Sequence, residues 1–120
     1  MIAFSLAAAL AAIWLAVHLI LGGREIARPL MTSTLDPLVR DVQFMCWHFT
    51  SAGIGAMALF FALAAATGMD AYGISGTILA AAFWVIGVVM APALGQSYAK
   101  MPQGWLFLPV AGLGLWGLLG

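Results

Sequence analysis

Residues 2–21 read IAFSLAAALAAIWLAVHLIL, twenty positions without a single Asp, Glu, Lys or Arg. A bilayer core about 30 Å thick is crossed by about 20 predominantly apolar helical residues, so this one stretch has the length of a membrane span. Similar stretches follow it along the chain. Of the 120 residues, 65% are hydrophobic and 7% are charged, and the charges gather between the apolar stretches. Such a composition leaves little besides membrane-spanning helices. The expected fold is therefore an all-α integral membrane protein, a four-transmembrane-helix bundle forming one domain over residues 1–120. Its spans are expected at about residues 2–21, 37–66, 74–94 and 105–120.

Local signals set these limits. Gly22 and Gly23, weak helix formers, precede Arg24 and Glu25 and are expected to stop the first span. Thr32, Ser33 and Thr34 make a polar connection, after which Asp36-Pro37 fits an N-cap followed by proline at the first helical position. A helix over 37–66 is about 45 Å long at 1.5 Å per residue. Its first turns, with Arg40 and Asp41, are expected to project into the headgroup layer. Gly68 suits the C′ position of that helix. Pro92 falls near the end of the third span and Pro109 inside the fourth, which is the shortest and has a tilted or partly re-entrant path as its alternative. The N-terminal apolar run has no basic residue before it and exceeds the length of a signal core, so it is read as a span.

Arg24, Arg28 and Arg40 lie in the first connection or the helix start beside it, and Lys100 lies in the third. The positive-inside rule places both in the cytoplasm, with the two termini and Asp70 on the other side. Tyr98 and Trp105 are expected at the inner edge and Tyr72 at the outer, with Trp14, Trp47 and Trp84 as deeper packing residues. The expected location is the cytoplasmic membrane of a bacterium, on the ground of a short chain without a targeting extension.

Helices in lipid gain little by hiding apolar surface from one another, so close approach through small residues supplies their contact. Ser51 with Gly55, Gly87 with Ala91, and Ala8 with Ala12 have the required four-residue spacing. Gly112, Gly114, Gly117 and Gly120 form another small-residue face, expected to pack closely, against a partner chain in one reading. No internal repeat of the kind that builds transporters is present.

His18 and His48 are the only histidines, and each is six or seven residues from a charge marking the same membrane face. They are thus expected at one depth, roughly 9 to 10 Å inside. Two imidazoles on facing helices form a possible haem b site, with Met45, Cys46 and Met57 as softer ligands for copper. The structural alternative is a hydrogen bond from either ring to Ser51, Thr50 or a backbone carbonyl, or ring packing with Trp14. Quinone, pigment and proton contacts complete the readings of these two side chains.

Six of the eight charged residues lie within residues 24–41. Arg24, Glu25, Arg28, Arg40 and Asp41 make this connection the expected dock for lipid phosphate or a partner subunit. Zero net formal charge without a basic run excludes a nucleic-acid footprint. No acidic residue falls in a span interior, which counts against proton-coupled transport. Catalytic triads, paired carboxylates, phosphate-binding loops and histidine-rich metal clusters are absent, so no enzyme activity is expected. The leading expectation is an accessory, assembly or stabilising subunit that binds larger membrane proteins or itself. A haem-binding electron-transfer subunit using His18 and His48 is the rival, and an oligomeric channel or transporter comes third.

Overall fold

Proline and glycine at the ends of the second helix do what their chemistry dictates. In the computed structural model, which describes residues 1–120, Pro37 opens a helix that runs to Thr67, and the Asp36 carboxylate accepts the Leu38 N–H at 3.0 Å. At the other end Gly68 takes the left-handed conformation, φ 69°, and its N–H returns to the Ala64 carbonyl. A side chain there would be strained, whereas glycine is not.

All regular structure is helical. We number the helices α1 (Ile2–Met31), α2 (Pro37–Thr67), α3 (Asp70–Ala93) and α4 (Gln103–Leu119). The first three are long and apolar enough to cross a membrane, and α4 is a shorter apolar helix. α4 is broken at Phe107, before Pro109, into a turn over Gln103–Leu106 and a longer stretch over Leu108–Leu119.

The end of α1 departs from expectation. Gly22 and Gly23 do not stop it: the backbone widens into a π-helix over His18–Ala27 and closes with a turn over Arg28–Met31. The N–H of Arg28 reaches back five residues, to Gly23. Pro29 supplies the physical reason. In a regular α-helix its ring would collide with the carbonyl four residues earlier, and wider winding before it moves that carbonyl aside. Pro92 is accommodated differently. Its missing N–H leaves the Val88 carbonyl without a helical partner, and the Tyr98 hydroxyl donates to that oxygen at 2.8 Å.

One end of the bundle is packed by rings set into glycine notches. Phe4 lies over Gly73 of α3 and Gly117 of α4, so closely that a Cβ on either glycine would come within about 2.7 Å of the ring. Phe61 of α2 fills the equivalent notch between Gly76 and Gly114, and the two rings stack with centroids 6.3 Å apart. Ala7, Ala11, Ala64 and Ala80 are fully buried behind them. The glycines of α4 thus correct one expectation: Gly114 and Gly117 receive side chains of their own chain, while a Cβ on Gly112 would meet nothing.

Gly87 of α3 meets Gly104 of α4 backbone to backbone, and Ala91 one turn later is fully buried. Ser51 and Gly55 are not a backbone crossing of that kind. A Cβ on Gly55 would meet only Leu15 at an ordinary 3.7 Å, because the Leu15 side chain spaces α1 from α2 there.

Because Phe4 touches both α3 and α4 at the glycine-packed end, the unequal helix lengths are expressed at the opposite end. At 1.5 Å per residue α1 and α2 are each about 45 Å long and α3 about 36 Å. The hairpin joining α1 to α2 therefore extends about 10 Å past the last turn of α3, within an overall length of 50 Å, and the connection after α3 brings Lys100 to the same cavity as Glu25.

Candidate functional site

At the hairpin end the two helix pairs part. Between them lies an open cavity of about 700 Å³, walled by Trp14, His18, Trp47, Phe83 and Phe107, with Glu25 and Lys100 among its polar lining. Its size is that of a small-molecule site.

Each wall is held by a definable bond. The Trp14 indole donates to the Leu106 carbonyl at 2.7 Å, a backbone oxygen next to the break in α4. Phe83 and Phe107 meet edge to face with centroids 5.1 Å apart. His18 stacks on Trp47 at 4.6 Å and 21°. Its Nε2 lies 2.9 Å from the Ser51 hydroxyl, whose oxygen is also 3.2 Å from the Trp47 carbonyl. A serine has one hydroxyl hydrogen, and a carbonyl can only accept. Both bonds form together only when Ser51 donates to Trp47 and His18 Nε2–H donates to Ser51. That assignment leaves Nδ1 of the neutral ring with a free lone pair.

The space before that lone pair is open because residue 22 is glycine. A Cβ placed on Gly22 would lie 3.8 Å from His18 Nδ1 and 3.8 Å from Trp47 Nε1. Neither nitrogen bonds to another group of the chain, and both lie beside Gly22 among the residues that line the cavity. The π-helical winding that carries His18, Gly22 and Glu25 gives this face a register that no α-helix would.

The structure does not bring His18 and His48 together as a ligand pair. Trp47 packs against both, its centroid 4.6 Å from His18 and 5.1 Å from His48. His48 is exposed and meets Phe44 and Trp47 edge-on. Axial haem ligands need two nitrogens facing one gap, and here His18 Nε2 is spent on Ser51. The copper alternative is divided as well, since Met57 is fully buried while Met45 and Cys46 are exposed. No group of three or more His, Cys, Asp and Glu side chains converges anywhere. Trp14, proposed from spacing to pack on His18, bonds across to α4 instead, and Trp47 takes its place.

The charged residues occupy the hairpin. Arg24, Glu25 and Arg28 are exposed, and the one ion pair joins neighbours, Arg40 Nε to Asp41 at 2.9 Å. Exposed Ile26, Leu35 and Leu38 lie among them, Leu38 at 72%. Lys100 lines the same cavity as Glu25, so all four basic residues sit at one end of the molecule. No protein-family model, curated protein or solved structure matches this chain.

Proposed function

We propose that this chain is a four-span protein of the bacterial cytoplasmic membrane, with both termini on the outer side. In this reading it serves as an accessory, assembly or stabilising subunit of a larger membrane complex. The observation that carries the proposal is the projecting hairpin, where Arg24, Glu25 and Arg28 have no partner within the chain and stand among exposed apolar side chains. Past the last turns of α3, such apolar groups gain from being covered, and an interfacial arginine forms strong paired hydrogen bonds with a carboxylate. The occupant of this surface is another membrane protein presenting acidic groups at headgroup depth. Collection of every Lys and Arg at one end supports a cytoplasmic hairpin. Haem held by His18 and His48 finds no support in the geometry of the two rings.

Co-purification after gentle detergent extraction tests the proposal. The wild-type chain is expected to migrate with a larger protein, and the R24E/R28E double variant to release it in a salt-sensitive manner while remaining folded. In the same strains, reporters fused to the C-terminus should be active outside the cytoplasm, and those inserted near Met31 inside. A variant that keeps its partner with unchanged topology contradicts the dock. A C-terminus on the same side as the hairpin contradicts the four-span arrangement.

A further inference from the structure

We infer that the cavity between the helix pairs holds one phospholipid with a zwitterionic, primary-amine headgroup, its phosphate at Lys100, its ammonium at Glu25 and one acyl chain inside. The inference rests on the reading that the helices cross a bilayer with the hairpin at headgroup depth, and not on the hairpin dock. Two opposite charges carry it. Glu25 belongs to α1 and Lys100 to the connection between α3 and α4, so each helix pair brings one charge to the lining of the same cavity. Neither is paired within the chain, whose single ion pair joins Arg40 to Asp41.

Polarity is graded along the cavity. Trp14 precedes Glu25 by eleven residues on α1 and lies about 15 Å deeper in the bundle. There the lining is apolar: Trp14 is tied to the Leu106 carbonyl, and the adjoining Phe107 is buried. Leu21, Ile26 and Ile86 also line the cavity and are each about half exposed, so its mouth is edged by apolar surface of the kind that faces acyl chains in a bilayer. An amphiphile entering from the lipid is held with its head toward the hairpin and its tail toward Trp14. A volume of about 700 Å³ suits one chain rather than a whole two-chain lipid, and the open mouth lets the second chain stay in the bilayer.

The charges select the headgroup. An anionic lipid satisfies Lys100 but sets its phosphate near Glu25 with nothing to offset the repulsion, and a cationic amphiphile does the reverse. A phosphate linked to an ammonium answers both. A primary ammonium also donates hydrogen bonds to the carboxylate, which a trimethylated choline cannot do. Both side chains are exposed, so each contact corresponds to about threefold in affinity.

The test is lipid retention by the purified full chain in detergent micelles carrying equimolar phosphatidylethanolamine and phosphatidylglycerol with matched chains, read by native mass spectrometry. Helical content and resistance of the chain to alkaline extraction from membranes are recorded in parallel. One retained lipid per chain is expected, with phosphatidylethanolamine favoured about threefold. E25Q should remove that preference, and K100Q should weaken retention of both lipids about threefold. A side chain at residue 22 starts at ordinary contact distance from His18 and Trp47 in the cavity wall, so G22L should fill the space and strip either lipid with helical content retained. Free phosphoethanolamine, a headgroup without chains, should displace nothing. Equal retention of the two lipids by the wild type, or an unchanged preference in E25Q, overturns the headgroup assignment. Retention undiminished in G22L overturns the cavity as the site. A chain released by alkaline extraction overturns the spanning reading and the site with it, whereas a chain that stays in the membrane without the preference overturns this inference alone.

Discussion

Glycine serves two opposite purposes in this bundle, as a filled notch at one end and, at Gly22 and Gly23, as open space at the other. At the end holding Phe4 and Phe61, four glycines are notches already filled, and an added methyl would run into a ring of the same chain. At the hairpin end, Gly22 faces open space and two unpartnered nitrogens, and Gly23 has nothing within 4 Å of where its Cβ would be. In lipid, where burial of apolar surface yields little, the first arrangement holds helices together by close contact. The second leaves room. The ring-filled end is joined by close contact throughout, whereas the open end is tied at Gly87–Gly104 and leaves room beside Gly22.

Removing a ring from the packed end should produce the largest effect. Phe61 is fully buried against Gly76 and Gly114, and Phe61→Ala leaves a hole that four helices cannot close. In water-soluble cores such a change costs about 3 to 5 kcal/mol, part of it lost transfer from water. That part is small for a helix that stays in lipid, so about 3 kcal/mol is expected here, measured by reversible unfolding in mixed micelles. A cost below 1 kcal/mol would show that the notches are not what joins α2 to α3 and α4.

A smaller effect is expected where the open end is tied together. Ser51→Ala removes the acceptor of His18 Nε2–H, joining α1 to α2 at 2.9 Å. Interhelical hydrogen bonds in membranes are worth about 0.6 kcal/mol on average and about 1.7 at most, and a loss in that range should appear in the same unfolding measurement. Nitrogen-15 spectra of the imidazole should show Nε2 protonated in the wild type, with that preference lost in the variant. A wild-type ring protonated at Nδ1 would contradict the proposed direction of the bonds.

Local signals were legible at both ends of the bundle, and packing partners at neither. Asp36-Pro37 and Gly68 announced the limits of α2 because their preferences are local, residing in a missing N–H, a carboxylate cap and a permitted positive φ. The small-residue faces of α3 and α4 were visible as spacing, but their partners were not. That Gly87 meets Gly104, or that Gly117 receives Phe4, depends on how the helices cross. Gly22-Gly23 misled for a related reason. Glycine disfavours a helix by about 1 kcal/mol, a penalty that continuation toward Pro29 in a wider winding overrides. Ser51 was among the partners foreseen for a histidine. The cavity itself had no sequence signal, since it arises where two helix pairs diverge, and its lining comes from residues as far apart as Trp14 and Phe107.

The central contrast is tested most directly by adding the same single methyl group at each end. Gly114→Ala and Gly22→Ala are compared by reversible unfolding in the same mixed micelles. A Cβ at residue 114 would collide with the Thr77 hydroxyl and come within 2.9 Å of the Phe61 ring, and overpacking of this kind costs about 1 to 3 kcal/mol. At residue 22 the nearest atoms are 3.8 Å away, and replacing a helical glycine by alanine is neutral or stabilises by up to about 1 kcal/mol. Opposite or clearly unequal shifts are the expected result. Equal destabilisation at both positions would contradict the division into a packed end and an open one.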